Sequence, residues 1–109
     1  MSLDDLATPM AERAEEAAST LRLLAHPSRL LILCALVEGQ ASVSALQERL
    51  GEGQAQVSQQ LARLRKMGLV SAHREGRTIR YQLADARIAT VLEALHKAYC
   101  APDSVPPNP

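Results

Sequence analysis

The chain has 109 residues, which is enough for one small domain. Hydrophobic residues make up 47% and charged residues 22%, so the composition excludes a chain that is disordered throughout. Aromatic content is only 2%, all of it tyrosine, and the core must therefore be built from Leu, Val, Ile and Ala. So small a core is marginal alone, and dimerisation would supply further buried surface.

The apolar runs are too short for a membrane span. The densest run, Leu30 to Val37, ends at Glu38 after 8 residues, whereas a span needs about 18. The first residues are acidic and lack the basic region of a signal peptide. The sequence predicts a cytoplasmic protein that does not enter a membrane. Its 2 cysteines are too few for a disulfide scaffold.

Charge is distributed unevenly along a chain whose net charge is zero. Residues 1–53 carry 4 basic and 8 acidic side chains, net −4, and residues 84–109 carry 2 basic and 3 acidic, net −1. Residues 54–83 carry 6 basic side chains against 1 acidic, net +5. A basic segment on a neutral chain predicts a local anion-binding patch.

The first predicted helix begins at Thr8, an N-cap residue, with Pro9 at the first helical position. Its apolar residues recur at helical spacing as far as Leu24. We therefore expect residues 1–8 to be an N-terminal tail. Pro27 interrupts the pattern, because the residue before a proline avoids the helical region.

The next two helices have clear boundaries. The second, from Pro27 to about Glu38, is apolar on nearly all sides and is predicted to be the buried centre of the fold. The third runs from Val43 to Leu50, capped by Ser42 and ended by Gly51.

The fourth helix is predicted from Gln54 to Met67 and ended by Gly68. A period-two pattern follows, from Leu69 to Arg74 and from Arg77 to Leu83, and it predicts a hairpin around Glu75–Gly76. The fifth helix spans about Asp85 to Cys100. We expect one domain over residues 9–100 and a disordered proline-rich tail over residues 101–109.

Two helices joined by a short glycine turn and followed by a hairpin predict a winged helix-turn-helix, mainly α with a two-stranded wing. The fourth helix begins with amide and hydroxyl side chains that suit base edges, and arginines suit phosphate or minor-groove contacts. The predicted DNA contacts are Gln54, Gln56, Ser58, Gln59, Arg63, Arg74 and Arg77. Any one glutamine fits a merely solvated helix face equally well, and Arg63 fits an intrahelical contact, but the set as a whole favours DNA.

Three segments resemble the ArsR/SmtB family of bacterial winged-helix repressors: LRLLAHPSRLLIL, LQERLGEGQAQVSQQLARLRKMGLV and REGRTIRYQL. The resemblance covers about residues 15–100. It implies binding to double-stranded operator DNA by a homodimer formed through the first and last helices. One departure is Gly53, where many relatives have Ser or Thr as the helix cap; glycine caps almost as well.

Two sensor sites known in this family are absent from the sequence. The arsenite type has closely spaced cysteines on the helix before the recognition helix, and residues 43–50 contain none. The zinc type has Asp-x-His and His-x-x-Glu/His on the last helix. Here Asp85-Ala86-Arg87 lacks the histidine, and Tyr99 stands three residues after His96. No metal or other cofactor is therefore implied.

Cys34 and Cys100 resemble the cysteine pair of the persulfide-sensing branch, repressors of sulfide-oxidation and biofilm-linked sulfide-detoxification genes. The resemblance implies that the reduced dithiol form binds operator DNA. A small reactive sulfur species would then bridge the two thiols, and the protein would release DNA. Burial in the apolar helix would raise the pKa of Cys34, and we expect Cys100 to be the more accessible thiol.

Other interpretations of the two cysteines stay open. Cys34 is also typical of a small buried apolar residue, and Cys100 of an incidental cysteine at a helix end. The pair with His96 could form a soft metal or metalloid sensor, or act as a peroxide-responsive disulfide switch. The sequence has no nucleophile motif, phosphate loop or paired His/carboxylate set, so we do not expect an enzyme.

Overall fold

The computed structural model describes residues 3–100, with side chains from Pro9 onward; the tail predicted at residues 101–109 lies outside this range. The elements are α1 (Leu3–Leu24), α2 (Pro27–Val37), α3 (Val43–Leu50), α4 (Gln54–Lys66), β1 (Val70–Glu75), β2 (Thr78–Leu83) and α5 (Ala86–Tyr99). Within the described residues, five helices and one antiparallel hairpin confirm the predicted mainly α, winged helix-turn-helix architecture.

The chain divides into two compact units between Leu30 and Leu31, and the first contains α1 and the start of α2. The start predicted for α1 at Thr8 is wrong, because the helix begins at Leu3 and Pro9 lies inside it. Proline lacks a backbone N–H, so a helix can continue through it at the cost of one hydrogen bond. The domain boundary expected after residue 8 stays a prediction.

The predicted break at His26–Pro27 is confirmed, since α1 ends at Leu24 and α2 begins at Pro27. The N–H of His26 donates to the Leu24 carbonyl at 2.8 Å, and a guanidinium nitrogen of the buried Arg29 donates to the Leu23 carbonyl at 3.2 Å. The last carbonyls of α1 have no partner within their own helix, so these bonds satisfy groups that a helix end leaves open.

In the second unit, α3 has the caps that the sequence predicts. The hydroxyl of Ser42 accepts the N–H of Ala45 at 3.1 Å. Gly51 has φ +69°, a left-handed conformation that few other residues adopt, and its N–H donates to Gln47 at 2.8 Å. Ser42 thus fixes where α3 begins, and Gly51 fixes where it ends and the turn of the helix-turn-helix begins.

At the end of α4, Gly68 has φ +79°, and the N–H of Leu69 reaches back to the Leu64 carbonyl at 2.9 Å. This is the bond pattern of a helix ended by glycine, as the sequence predicts. The helix itself ends at Lys66, with Met67 as its cap, one residue earlier than expected.

The wing is β1 paired with β2, from Val70 opposite Leu83 to Glu75 opposite Thr78. Each strand begins one residue later than predicted, which leaves Gly76 and Arg77 as a two-residue loop. This loop length is common in β-hairpins, and Gly76 supplies the positive φ that such a tight turn requires.

The second unit buries a set of aliphatic side chains almost completely, as the lack of aromatics predicts. They are Ile32, Leu33, Leu46, Val57, Leu61, Leu64, Ile88 and Leu92. α3 packs on α4, α4 on β1, and α5 on β2. Among the described residues no single helix is long and apolar enough to cross a membrane; only α1 from Pro9 and α2, taken as a bent pair, meet that test together by length and composition.

Candidate DNA-binding surface and thiol cavity

The outward face of α4 is a polar and basic stripe. Val57, Leu61 and Leu64 are fully buried. At 100° per residue, Gln59, Arg63 and Lys66 fall on the opposite side of the helix, and all three are exposed. Lys66 was missing from the predicted DNA contacts, although its i+3 spacing from Arg63 could have indicated it. We call these three residues the outer stripe of α4.

The other candidates at the start of α4 are also accessible. Gln54, Gln56 and Ser58 are all exposed. Ala55 and Ala62, also exposed, lie between the outer stripe and the pair Gln54 and Ser58, and their small side chains permit a close approach of another surface. The helix therefore presents amides, one hydroxyl and three cations, since Arg65 is exposed as well, without large apolar side chains.

The arginines of the wing differ in their surroundings. Arg80 pairs with Glu75 at 3.3 Å, and the same carboxylate lies 3.8 Å from the imidazole of His73. Arg74 and Arg77 are exposed and make no ion pair with any residue of the described range. The predicted contacts Arg74 and Arg77 are thus the wing cations available to a polyanion.

The two thiols lie on different elements, and the charge of Cys100 acts on Cys34. Cys34 is half-buried in α2, and Cys100 is exposed as the C-cap of α5; both are free. Burial raises the pKa of the Cys34 thiol above its ordinary value of 9.0, and the charge of Cys100 raises that pKa further. Two cysteines that are distant in sequence are therefore within electrostatic reach of each other.

A cavity of about 440 Å³ lies beside Cys34, where α2, α3 and α5 meet. Its apolar wall comprises Leu31, Ala35, Val37, Leu50 and Leu92, with Cys34 among them. Sequence analysis missed this cavity, because it depends on how three helices pack and leaves no pattern along the chain.

Four charged or titratable side chains, all of them exposed, also line this cavity: Glu38, Arg49, Glu93 and His96. The carboxylate of Glu38, which follows the end of α2, pairs with the guanidinium of Arg49 in α3. Glu93 makes no ion pair within the part of the chain that the structure describes. The cavity thus combines an apolar wall, a thiol and one carboxylate without an ion pair in the described residues.

A metal site is not assembled around these thiols. Among the described residues, no three or more His, Cys, Asp or Glu side chains are grouped so that they could hold a metal ion. Cys34, Cys100 and His96 are thus not brought together as such a group in the described residues, and the metal-sensor interpretation stays a prediction.

Comparison with known proteins gives consistent results for sequence and fold. Residues 26–72 match the model of the bacterial regulatory protein, arsR family. The biofilm growth-associated repressor of Xylella fastidiosa (strain 9a5c) is 44% identical over 92 residues, which cover 84% of this chain and 81% of that protein.

Solved structures agree with that match. The transcriptional repressor BigR from Xylella fastidiosa superposes with a TM-score of 0.80 at 42% identity, covering 93% of this chain and 99% of that one. Reduced HlyU from Vibrio cholerae N16961 superposes with a TM-score of 0.78 at 36% identity, covering 85% and 98%. These relatives are DNA-binding transcriptional regulators rather than enzymes. The chain belongs to the ArsR family of bacterial transcriptional regulators.

Proposed function

We propose that this protein represses transcription by binding operator DNA in its reduced dithiol form. A persulfide or polysulfide then bridges Cys34 and Cys100, and the bridged protein releases DNA, so that sulfide-detoxification genes are expressed. The observation that carries this proposal is that Cys100 lies within electrostatic reach of Cys34, since the charge of Cys100 raises the pKa of the Cys34 thiol. The similarity to a biofilm growth-associated repressor supports the direction of regulation.

DNA binding is assigned to α4 and the wing. Glutamine amides donate and accept in pairs, as an adenine edge in the major groove requires, and arginines can read guanine or contact phosphate. Gln54, Gln56, Ser58, Gln59 and Arg63, with Lys66 added, would face the groove, while Arg74 and Arg77 would contact the backbone or minor groove. The net +5 of residues 54–83 supports this assignment.

A homodimer through α1 and α5 completes the proposal. Leu24 on α1 and Leu92 on α5 are buried within one protomer, so they are not available to such an interface. Leu21 on α1 and Tyr99 on α5 are 58% and 77% exposed, which is large for such side chains. These two residues are the better candidates for the interface. A dimer would read two half-sites about one helical turn apart.

The sulfur chemistry balances without an external oxidant. Each thiolate attacks the terminal sulfur of a donor R–S–SH, the S–S bond breaks, and RS⁻ leaves and takes up a proton. The persulfide anion on one cysteine then attacks the Sγ of the other and expels HS⁻. Two RSSH and two thiols yield one trisulfide bridge, two RSH and one H₂S. Because Cys100 is exposed and Cys34 is half-buried with a raised pKa, Cys100 reacts first.

The bridge would act on DNA binding through the elements that carry the thiols. Cys34 lies in α2, whose end is joined to α3 of the helix-turn-helix by the Glu38–Arg49 ion pair. A bridge to Cys100 would fix the separation of α2 from the end of α5, and with it the spacing of the recognition helices in a dimer. An allosteric coupling of about 1–3 kcal/mol would lower operator affinity roughly 5–150-fold.

The test combines intact mass spectrometry with operator binding. The wild-type protein is treated with an organic persulfide, hydrogen peroxide or oxidised glutathione, and each sample is assayed for both bridge mass and operator affinity. We expect persulfide to add sulfur, remove two hydrogens and release DNA. Cys34→Ser and Cys100→Ser should each bind operator and fail to respond.

Two outcomes of this test would contradict the proposal. Release of operator by persulfide from Cys100→Ser would show that the bridge is not the switch. A clean intramolecular disulfide after peroxide, with the same release, would favour a peroxide-responsive switch. A direct disulfide requires Cα atoms within about 7 Å of each other, whereas a bridge with extra sulfur tolerates a wider gap.

A further inference from the structure

We propose that the cavity beside Cys34 binds the organic part of an aminothiol persulfide. The carbon chain of the donor lies against the apolar wall, and its ammonium group lies at Glu93. This inference rests on the proposed persulfide sensing and adds to it the chemical class of the donor. In it, the cavity is a binding site that recognises the donor.

The size of the cavity argues for an organic donor. A hydropersulfide anion is only two sulfur atoms, and reaction with a thiol requires nothing more than access. A volume of about 440 Å³ is instead in the range of small-molecule pockets. The wall at Leu31, Val37 and Leu92 is aliphatic, so it offers contact to methylene groups and nothing to a small inorganic anion.

The charge of the lining argues for a cationic substituent. Glu38 and Arg49 neutralise each other as an ion pair, which leaves Glu93 as the carboxylate of the lining that has no ion pair among the described residues. His96 lies one turn after Glu93 on α5. A carboxylate beside apolar surface attracts an ammonium group and repels another carboxylate. A donor with an amine is therefore favoured over a donor with an acid of equal length.

Cys34 benefits from such a site more than Cys100 does. Cys34 is half-buried, so fewer of its encounters with a free donor are productive, and its thiolate is less populated than that of an ordinary thiol. Holding the donor beside it makes the reaction effectively intramolecular. The thiolate of Cys34 attacks the terminal sulfur of R–S–SH, Cys34–S–SH forms, and RS⁻ leaves from the cavity and takes up a proton.

The experiment uses the full chain carrying Cys100→Ser, in which Cys34 is the reacting cysteine. Its persulfidation is followed by mass spectrometry with the persulfides of cysteamine and of mercaptopropionate, and with inorganic hydropersulfide. We expect saturation with the cysteamine donor and a rate about tenfold above that of mercaptopropionate, a ratio that corresponds to about 1.4 kcal/mol. In Glu93→Gln, the rates of Cys34 persulfidation by the two organic donors should become nearly equal. Glu48→Gln, an exposed acid on α3 outside the cavity, should preserve the ratio.

A second measurement separates recognition from sulfur chemistry. Methylthioethylamine and methylthiopropionate are unreactive analogues, and their binding is followed by NMR at the amides of Leu92 and His96. We expect shifts with the amine that Glu93→Gln removes. Equal shifts with both analogues, or none, overturn the inference. Equal, unsaturable rates with all donors also overturn it while leaving persulfide sensing intact. Amine shifts without any modification of Cys34 would support the cavity and reject the proposed function.

Discussion

Ala41 and Tyr81 exchange two backbone hydrogen bonds: the N–H of Ala41 donates to the Tyr81 carbonyl at 3.0 Å, and the N–H of Tyr81 donates to the Ala41 carbonyl at 2.8 Å. Ala41 is buried and immediately precedes Ser42, the N-cap of α3. Strand β2 of the wing is therefore joined directly to the start of the helix-turn-helix. Substitutions at the tip of the wing should change contacts with DNA without moving the wing.

Arg77→Ala should weaken binding to operator and to random DNA by similar factors. Arg77 lies in the two-residue loop of the wing, makes no ion pair within the described residues, and suits a phosphate contact. Loss of one phosphate contact should make the slope of log K against log salt concentration shallower by about one. Fluorescence anisotropy at several salt concentrations measures both effects.

Arg80→Ala is the matched control on the same strand pair, because Glu75 already holds the Arg80 guanidinium at 3.3 Å. We expect a smaller loss of affinity from it than from Arg77→Ala. An equal or larger loss would mean that Arg80 leaves its partner to bind DNA and that the assignment of the wing contacts is wrong.

Gln59→Ala should reduce affinity for the cognate operator by about 1–3 kcal/mol and have little effect on random DNA. Gln59 is exposed on the outer stripe of α4, where an amide can read a base edge. The same titrations on cognate and scrambled sites measure the difference. Equal losses on both would place Gln59 among the phosphate contacts instead.

Much of this architecture was predictable because its boundaries depend on local chemistry. Ser42, Gly51 and Gly68 cap helices through their own side chains or backbone angles, and each does so where the sequence predicts. Pro9 was misleading, since a helix tolerates a proline when it gives up one hydrogen bond. The cavity and the proximity of the two cysteines depend on packing between distant segments, and the resemblance to a family, rather than any local pattern, indicated the pair.

Ser42→Ala should lower the free energy of unfolding by about 1 kcal/mol, because it leaves the N–H of Ala45 without its 3.1 Å partner at the start of α3. Urea denaturation followed by circular dichroism measures the change. Ser44→Ala, at an exposed position within the same helix, is the control and should not destabilise, since alanine is the better helix former. If both variants lose the same stability, the cap does not explain the effect.

The dimer should dissociate when its proposed apolar contacts are made charged. Tyr99→Lys, on a side chain that is 77% exposed in one protomer, should shift sedimentation from dimer toward monomer at micromolar concentration and weaken operator binding. Ile79→Lys places the same charge on an exposed apolar residue of the wing and should leave the dimer intact. A wild-type monomer that binds operator fully would contradict the interface.

The pH dependence of Cys34 alkylation should separate the two causes of its raised pKa, burial and the charge of Cys100. Burial and the charge of Cys100 both raise its pKa above 9.0, so the folded thiol keeps its proton where an unfolded one loses it. The folded state then binds more protons, and the stability that this thiol contributes is lost as the pH rises through and above 9.0.

Alkylation of Cys34 should therefore become fast only at higher pH than that of an ordinary cysteine. In Cys100→Ser the midpoint of the alkylation profile should fall, because the repulsion is removed, yet it should stay above 9.0, because burial is the larger cause. A midpoint that does not move would mean that the thiols do not influence each other, and the bridge proposed between them would lose its structural basis.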